Sequence, residues 1–377
     1  MSSVRHEGGE AFVAADAMQR LATATFEKAG CSTAEAERIA TRLSGANLRG
    51  HDSHGVIRIP RYVQWIVEGK QLPDQTITLE SENEVMAIVD GNFGFGQTVG
   101  EQAVDLGIKK AKNHGIAVIG LKNAGHLGRI GDWAERAAAA GLVSIHMVNV
   151  RGSLIVAPFG GIDRRGSTSP FCAGIPLPGE TPIILDMATS TVAEGKALVA
   201  LRGGKPLPEG SLVTGDGELT ADPRPLYGDE EPGAYPDPNK GPGALTTFGL
   251  HKGSGLNFLM EMMAGALTGS GTAGALGEDT RRFCNGMLSI YMDPATFHAD
   301  DYFAAEVKSY VEFVKSSRPT EAGGEVLVPG EKEQHMMAKR TKSGLPLSEE
   351  TWGDIVEAAR AVGHSEAEIE ALLGAKP

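Results

Sequence analysis

Residues 85–129 read VMAIVDGNFGFGQTVGEQAVDLGIKKAKNHGIAVIGLKNAGHLGR. Two short β-branched-rich runs, Val85–Val89 and Ile116–Leu121, flank Thr98–Asn113, whose apolar spacing is helical, with Gly115 following as a C-cap. A strand–helix–strand unit predicts an α/β layered domain. Between strand and helix stands Gly94-Phe95-Gly96-Gln97-Thr98-Val99-Gly100, a near match to the G-x-G-x-x-G dinucleotide fingerprint. That fingerprint wants its third glycine where Val99 stands, and an acidic residue ending the next strand, where Lys122-Asn123 stand. The stretch therefore argues against a Rossmann fold and for a glycine turn that serves packing.

The alternation continues downstream. Val143–Val148 and Ile183–Leu185 read as strands, and Ile130–Ala140, closed by Gly141, as a helix. A further helix is expected over Thr189–Leu201, and Ser254–Leu267 is apolar enough to predict a buried helix. Upstream, Ala11–Lys28 has helical spacing. A second helix should run from the capping box Ser32-Thr33-Ala34-Glu35 to about Asn47, and a third, from near Pro60, carries Tyr62, Trp65 and Ile66. The last third returns to helices: Asp300–Lys315, a short one near Gln334, Ser348–Ala361, and Ser365–Leu373 behind a second capping box. Residues 222–244 hold six prolines and predict a lid or a surface insertion.

Of 377 residues, 41% are hydrophobic and 22% charged, which excludes a disordered chain. Lys+Arg 35 against Asp+Glu 48 leaves a net charge of −13, which argues against nucleic acid and anionic membranes as partners. Glycine accounts for 50 residues, well above its usual share, pointing to tight turns and close backbone approaches. Three scattered cysteines (Cys31, Cys172, Cys284) form no C-x-x-C pair. No apolar run is long enough to span a bilayer, so a reduced, soluble, cytoplasmic protein is expected.

Three polar clusters stand out. His51-Asp52-Ser53-His54-Gly55 precedes Arg58, Arg61 and Tyr62. It is either a solvated loop or a pocket in which Arg58 and Tyr62, four residues apart, share a helix face and bind a carboxylate. Asn123-Ala124-Gly125-His126-Leu127-Gly128-Arg129 follows a strand, where ligands gather in α/β folds, and an imidazole there suits proton transfer. Gly249-Leu250-His251-Lys252-Gly253-Ser254-Gly255 opens the apolar helix; it is a capping turn or an anion site to which Lys252 adds charge. It lacks the frame of a Walker A loop.

Together these residues resemble one family, the malate/L-lactate/sulfolactate dehydrogenase-like oxidoreductases, which do not use a Rossmann fold. The matching pieces follow the family's order across most of the chain. They are Arg49 to Gly55 with Arg58, Pro60 and Tyr62; Val89-Asp90-Gly91 with Gly94 to Gln97; Asn123 to Gly128; Ala157-Pro158-Phe159-Gly160-Gly161; Leu185 to Ser190; His251-Lys252-Gly253; and Pro329-Gly330-Glu331. Gly50–Gly55, Gly128-Arg129-Ile130-Gly131 and Ser169-Pro170-Phe171-Cys172 look closest to the hydroxycarboxylate dehydrogenase B branch.

The resemblance implies an α/β protein with a helical domain, residues 1–78 with 345–377, and a nicotinamide-binding catalytic domain with a mixed sheet, residues 79–344. It implies a homodimer with its active site between domains, NAD or NADP as cofactor, and no metal. His126 would be the acid/base, and Ser53, Arg58 and Tyr62 would touch substrate. His54, Gly128, Arg129, Ile130, Ile184, Leu185, Asp186, Met187, Ala188, His251, Asn285, Gly330, Glu331, Lys332 and Glu333 would touch cofactor, joined by Lys252. The expected reaction moves a hydride between NAD(P) and a small 2-hydroxy or 2-oxo acid, or onto a cyclic imine carboxylate. Readings from other classes are a metal-dependent hydrolase built on His51, His54 and His126, and a non-catalytic binding protein. Three departures from the family bear on substrate identity. They are Ser169 where asparagine is common, Asp132 where an aromatic residue is frequent, and the long 222–244 segment.

Overall fold

The computed structural model describes residues 3–202, 205–229, 236–274, 282–298 and 301–374. The chain opens with β1 (Val4–Glu7), β2 (Glu10–Val13), α1 (Ala15–Lys28), α2 (Thr33–Leu48) and α3 (Ile59–Val67). Next come β3 (Thr78–Glu82), β4 (Met86–Asp90), α4 (Gly96–His114), β5 (Ile116–Ala124), α5 (Gly131–Ala139), β6 (Val143–Arg151), β7 (Phe171–Ile175) and β8 (Ile183–Met187). Then follow α6 (Glu194–Leu201), β9 (Leu212–Val213), β10 (Leu219–Thr220), α7 (Arg224–Tyr227), β11 (Ala244–Leu245), α8 (His251–Met260) and β12 (Cys284–Met292). The last elements are α9 (Pro294–Phe297), α10 (Tyr302–Lys315), α11 (Glu331–Ser343), β13 (Leu345–Ser348), α12 (Glu349–Ala361) and α13 (Glu366–Gly374). Asp300, expected to start α10, lies outside the described residues.

Seven strands form one mixed sheet in the order β3-β4-β5-β12-β6-β7-β8. Only β4 and β5 run parallel; every other neighbouring pair is antiparallel. A doubly wound sheet needs parallel neighbours, so the glycine turn before α4 belongs to no Rossmann fold. Because β12 runs against β5, its first residues lie beside the end of β5: Asn285 pairs with Ala124. A loop leaving β5 therefore meets the start of the central strand.

A second core lies outside the sheet. Leu21, Phe26, Ile39, Leu43, Ile59 and Tyr62 pack with Leu345, Leu347, Ile355 and Ile369, so the two ends of the chain share one apolar interior. This corrects the expected start of the first helix. Ala11–Val13 is extended because β2 is sandwiched between β1 and β13, with Val13 opposite Leu345. Ser32 caps α2 by accepting from the Glu35 amide, but Glu35 does not reciprocate. Its carboxylate turns inward to the Asp74 amide and Thr98, while the Asp74 side chain takes the Ser32 amide. The second box closes reciprocally between Ser365 and Glu368.

Two further expectations change. The helix near Gln334 is a full α11 of 13 residues. The apolar helix starts earlier, at His251, and continues past Met260 as a wider π-type turn to Ala266. It buries Met260 and Ala264 against Met147 and Leu288. Its other face is open: Phe258 is 64%, Leu259 52% and Leu267 62% exposed.

Of the proline-rich segment, residues 230–235 lie outside the described residues; one side chain ties both remaining parts together. The Arg164 guanidinium donates to the carbonyls of Gly243 (2.7 Å), Pro238 (2.6 Å), Leu226 (2.9 Å) and Gly241 (2.7 Å). Arg164→Met keeps the stem and removes all four donors. At about 1 kcal/mol net per hydrogen bond, the segment should open more easily by roughly 2–4 kcal/mol. Native-state proteolysis within 222–244 should accelerate at least tenfold; an unchanged rate would assign the order of this segment to other contacts.

Candidate active site

His126 stands two residues beyond the end of β5. Its loop rests on the glycine turn after β4: Gly125 N donates to Gly94 O at 2.8 Å and Phe93 N to Asn123 O at 2.8 Å. A Cβ on Gly96 would stand 2.3 Å from the His126 carbonyl oxygen, and one on Gly125 would stand 2.7 Å from the Gly94 carbonyl. Backbone approaches backbone at both points, which only glycine permits. From the other side, Asn285 accepts from Leu127 N at 2.9 Å and donates to Asn149 O at 3.0 Å. The loop is thus seated between a glycine turn and the central strand.

The imidazole is held at both nitrogens. Nδ1 lies 2.6 Å from the Tyr62 hydroxyl, and Nε2 lies 3.3 Å from Nδ1 of His54, whose ring stacks on it. Tyr62 is buried, and Gln97 Nε2 donates to its oxygen at 3.1 Å. In that polarity the Tyr62 proton points to Nδ1, leaving the His126 proton on Nε2 and His54 as acceptor. Burial, and then the nearby Arg58 charge, pull His126 down to about 3. Burial followed by the His126 and Arg58 charges holds His54 well below the ordinary range, and burial pushes Tyr62 up to about 12. All three rings are therefore neutral near pH 7.

Arg58 ends a short turn just before α3. Its Nε donates to Ser53 O at 2.7 Å, and Nη2 lies 3.4 Å from Glu194 Oε2. The His51–Gly55 loop is shaped by buried Asn47, which accepts from Val56 N at 2.7 Å and donates to Asp52 at 2.6 Å. Arg340 of α11 reaches Asp52 Oδ2 at 3.0 Å. His51 turns away to Glu333 at 3.3 Å. Among the described residues, no group of three or more His, Cys, Asp or Glu side chains is placed to hold a metal ion. His51, His54 and His126 therefore do not converge as a hydrolase triad would.

Beside this site lies a cavity of about 630 Å³, walled by the 176–182 loop, α5 and the start of α11. Of the expected cofactor residues it collects Arg129, Ile184, Gly330 and Glu333. The others are placed differently. Asp186 caps α5, accepting from Gly131 N at 2.7 Å. Asn285 is buried with both ends of its amide engaged, so it holds the His126 loop. Arg129, on the cavity wall, is buried with its Nη1 committed to Asp132 and Glu135, each at 2.8 Å. Glu331 folds back onto Val328 N and Lys315. Gly128 and Ile130 bracket the Arg129 backbone before α5, and Met187 and Ala188 follow Asp186. Leu185, Lys332, His251 and Lys252 are exposed and line no part of this cavity.

Residues 13–356 match the family model described as malate/L-lactate dehydrogenase. Hydroxycarboxylate dehydrogenase B of Escherichia coli K12 is 39% identical over 352 residues, 93% of this chain and 94% of that protein. The chain belongs to the malate/L-lactate dehydrogenase family. It is accordingly an oxidoreductase of the hydroxy-acid dehydrogenase kind. Malate dehydrogenase from Pyrococcus horikoshii OT3 superposes with a TM-score of 0.82 at 28% identity, covering 97% of this chain and 99% of that one. Δ1-piperideine-2-carboxylate reductase from Pseudomonas syringae pvar. tomato superposes with a TM-score of 0.77 at 27% identity, covering 92% and 99%.

Within the family frame, the departures acquire partners. Ser169 donates to buried Glu261 at 3.1 Å, and its carbonyl accepts from Thr189 at 2.8 Å. Asp132 supplies an anion to Arg129. The sequence assigns no role to Gln97 or Glu194: Gln97 sits inside the glycine motif, and Glu194 falls within the helix expected over Thr189–Leu201, which the structure starts only at Glu194.

Gly96→Ala tests the seat of the loop. The added methyl cannot be accommodated without moving the His126 backbone, and a misplacement of about 1 Å costs roughly 10²-fold in turnover. Far-UV circular dichroism should stay unchanged while kcat falls by that order. Wild-type turnover in Gly96→Ala would mean that the loop tolerates displacement.

Proposed function

We propose that the protein interconverts a small 2-hydroxy acid and its 2-oxo acid using NAD or NADP, with His126 as acid/base. The observation that carries this reading is the buried imidazole at the exit of β5, fixed at both nitrogens beside the Arg58 guanidinium. The nicotinamide cofactor, when bound, supplies or accepts the hydride. Its dinucleotide is assigned to the cavity bounded by Arg129, Ile184, Gly330 and Glu333, whose 630 Å³ suits a cofactor site. The N-terminus of α11 opens there, and its first-turn acids are diverted: Glu331 to Val328 N and Lys315, Glu333 to His51. The Glu331 amide of that turn already donates to Val328 O at 3.2 Å, so the Lys332 amide is the one assigned to a phosphate.

The remaining work belongs to the chain's own side chains. Arg58 holds the substrate carboxylate through donors not spent on Ser53 and orients C2 toward His126. In oxidation, Nε2 takes the hydroxyl proton while Nδ1–H donates to the Tyr62 oxygen. In reduction, the imidazolium, protonated at both nitrogens, gives its Nε2 proton to the new alkoxide and returns to the neutral Nδ1–H form. Both directions need the Tyr62 hydroxyl to turn from its resting polarity and accept from Nδ1–H, and the Gln97 amide, which offers a donor and an acceptor, accommodates either polarity. A second reading, reduction of a cyclic imine carboxylate, is supported by the likeness to the piperideine-carboxylate reductase; the same Nε2 would then protonate nitrogen. The exposed Phe258, Leu259 and Leu267 support a homodimer through α8. No helix among the described residues is long and apolar enough to cross a membrane.

His126→Ala should lower kcat by roughly 10²–10⁴. The pH dependence carries a sign. Oxidation uses the neutral imidazole, so its kcat/KM should be flat from pH 6 to 9, well above the free-enzyme value of about 3. Reduction draws on the protonated form and should lose about tenfold per pH unit over the same range. Equal slopes in both directions, or full turnover in His126→Ala, would remove His126 from the chemistry.

Arg58→Lys keeps the charge and loses the planar fork. One charge-assisted bond is worth about 1.5–3 kcal/mol, so kcat/KM for a 2-oxo acid should fall roughly 10–150-fold. The preference for the acid over its methyl ester should shrink in parallel. A change within about twofold would place the carboxylate anchor elsewhere.

A further inference from the structure

We propose that Glu194 determines charge selectivity: it is an anion fixed beside the Arg58 fork that favours 2-oxo and 2-hydroxy acids with one carboxylate over those with two. The inference rests on Arg58 being the carboxylate anchor.

Glu194 is the first residue of α6, where the positive end of the helix favours a carboxylate. The helix approaches the Asp52–His54 turn closely because its second residue is Gly195, whose added Cβ would fall 2.4 Å from Ser53 Cβ. That approach brings Glu194 Oε2 within 3.4 Å of Arg58 Nη2, with the two side chains only 16% and 25% exposed. Tyr227 pins the other oxygen, donating to Oε1 at 2.9 Å. Tyr227 belongs to α7, inside the segment that Arg164 fastens. The carboxylate is therefore held from two sides.

A carboxylate docking on Arg58 shares the guanidinium with this fixed anion. One such group is tolerated, because Arg58 keeps Nη1 free of partners among the described residues. A second carboxylate, a few ångströms along a short substrate, enters the field of Glu194 in a site shielded from water, where like charges repel more strongly than in bulk solvent. Discrimination by an introduced repulsion of this kind does not require any loss of contact with the preferred substrate.

The test compares pairs of equal carbon number, 2-oxobutyrate against oxaloacetate and 2-oxopentanoate against 2-oxoglutarate, by kcat/KM with saturating cofactor. The wild-type protein should favour the monocarboxylic member of each pair. Glu194→Gln, close to isosteric, should raise the dicarboxylic member on the order of tenfold relative to its partner, chiefly through KM. Glu194→Asp and Tyr227→Phe, which keep the charge, should shift the ratio less than Glu194→Gln does. A wild-type protein that does not discriminate overturns the proposal without any variant, as does a Glu194→Gln ratio within twofold of wild type while Arg58→Lys is impaired. An Arg58→Lys protein of unimpaired kcat/KM overturns the anchor and this inference together.

Discussion

The Tyr62 hydroxyl meets Nδ1 of His126 across 2.6 Å, and this buried contact links the two hydrophobic cores at the site. Tyr62 belongs to the helical core built from both ends of the chain, whereas His126 hangs from the sheet. Phe95, just before α4, reinforces the junction: it packs edge-on against Phe26 and Tyr62 at ring separations of 6.0 and 5.7 Å. Neither core can shift without breaking a buried aromatic contact or exposing a buried hydroxyl, and each change costs free energy. The glycine turn then has a structural meaning. Gly94 and Gly96 let the His126 loop lie flat against α4, so that the imidazole reaches Tyr62.

Beneath the site runs a charge network that has to be satisfied internally. Burial opposes the charge on Arg129, yet Asp132, Glu135 and Asp186 outweigh it and hold its proton above the ordinary range. Arg49 and Arg42 complete the group, reaching Glu135 at 2.9 Å and Asp132 at 3.6 Å. A buried ion network of this kind is weak evidence for net stability, but losing one member strands a charge. Asp132, with Glu135, supplies the anions that permit a buried arginine here. Both of its hydrogen bonds, to Asp132 and Glu135, come from Nη1, so Nε and Nη2 of Arg129 keep no hydrogen-bond partner among the described residues.

Much of this was legible in the sequence, and the failures share a cause. Periodicity placed the starts of the strands at Met86, Ile116, Val143 and Ile183 within a residue, though it ended the last three early, since half-buried strands and amphipathic helices carry their own local signals. The failed fingerprint correctly denied a Rossmann fold. What local pattern cannot carry is a partner far away. Ala11–Val13 is a strand because Leu345–Leu347 lies beside it, and Glu35 abandons its box for Asp74 and Thr98. The exposed face of α8 reads as core by composition alone. Asn285 shows the same limit within the site: its residue type suits a ligand contact, but its two amide ends are spent on Leu127 and Asn149. Gln97 and Glu194 were invisible for the converse reason, since nothing in a sequence marks which polar residue will face a hydroxyl or a guanidinium.

Two effects keep His126 neutral, and they differ in kind. Burial is the larger and is built into the junction between the cores; the Arg58 charge is second and is conditional on what Arg58 faces. Under the proposed chemistry, a substrate carboxylate on Arg58 cancels the conditional part alone. Proton affinity then rises toward the ordinary 6.5 without reaching it, because desolvation persists and deepens as the site fills. Glu194 already draws off part of the Arg58 field, which shrinks that rise further. The imidazole is therefore neutral in the free protein, and its protonated form becomes more populated only when a carboxylate is seated. Coupling proton affinity to substrate occupancy in this way keeps the empty site from holding an unproductive proton near neutral pH, and it makes the protonation of the histidine depend on the anchor as well as on burial.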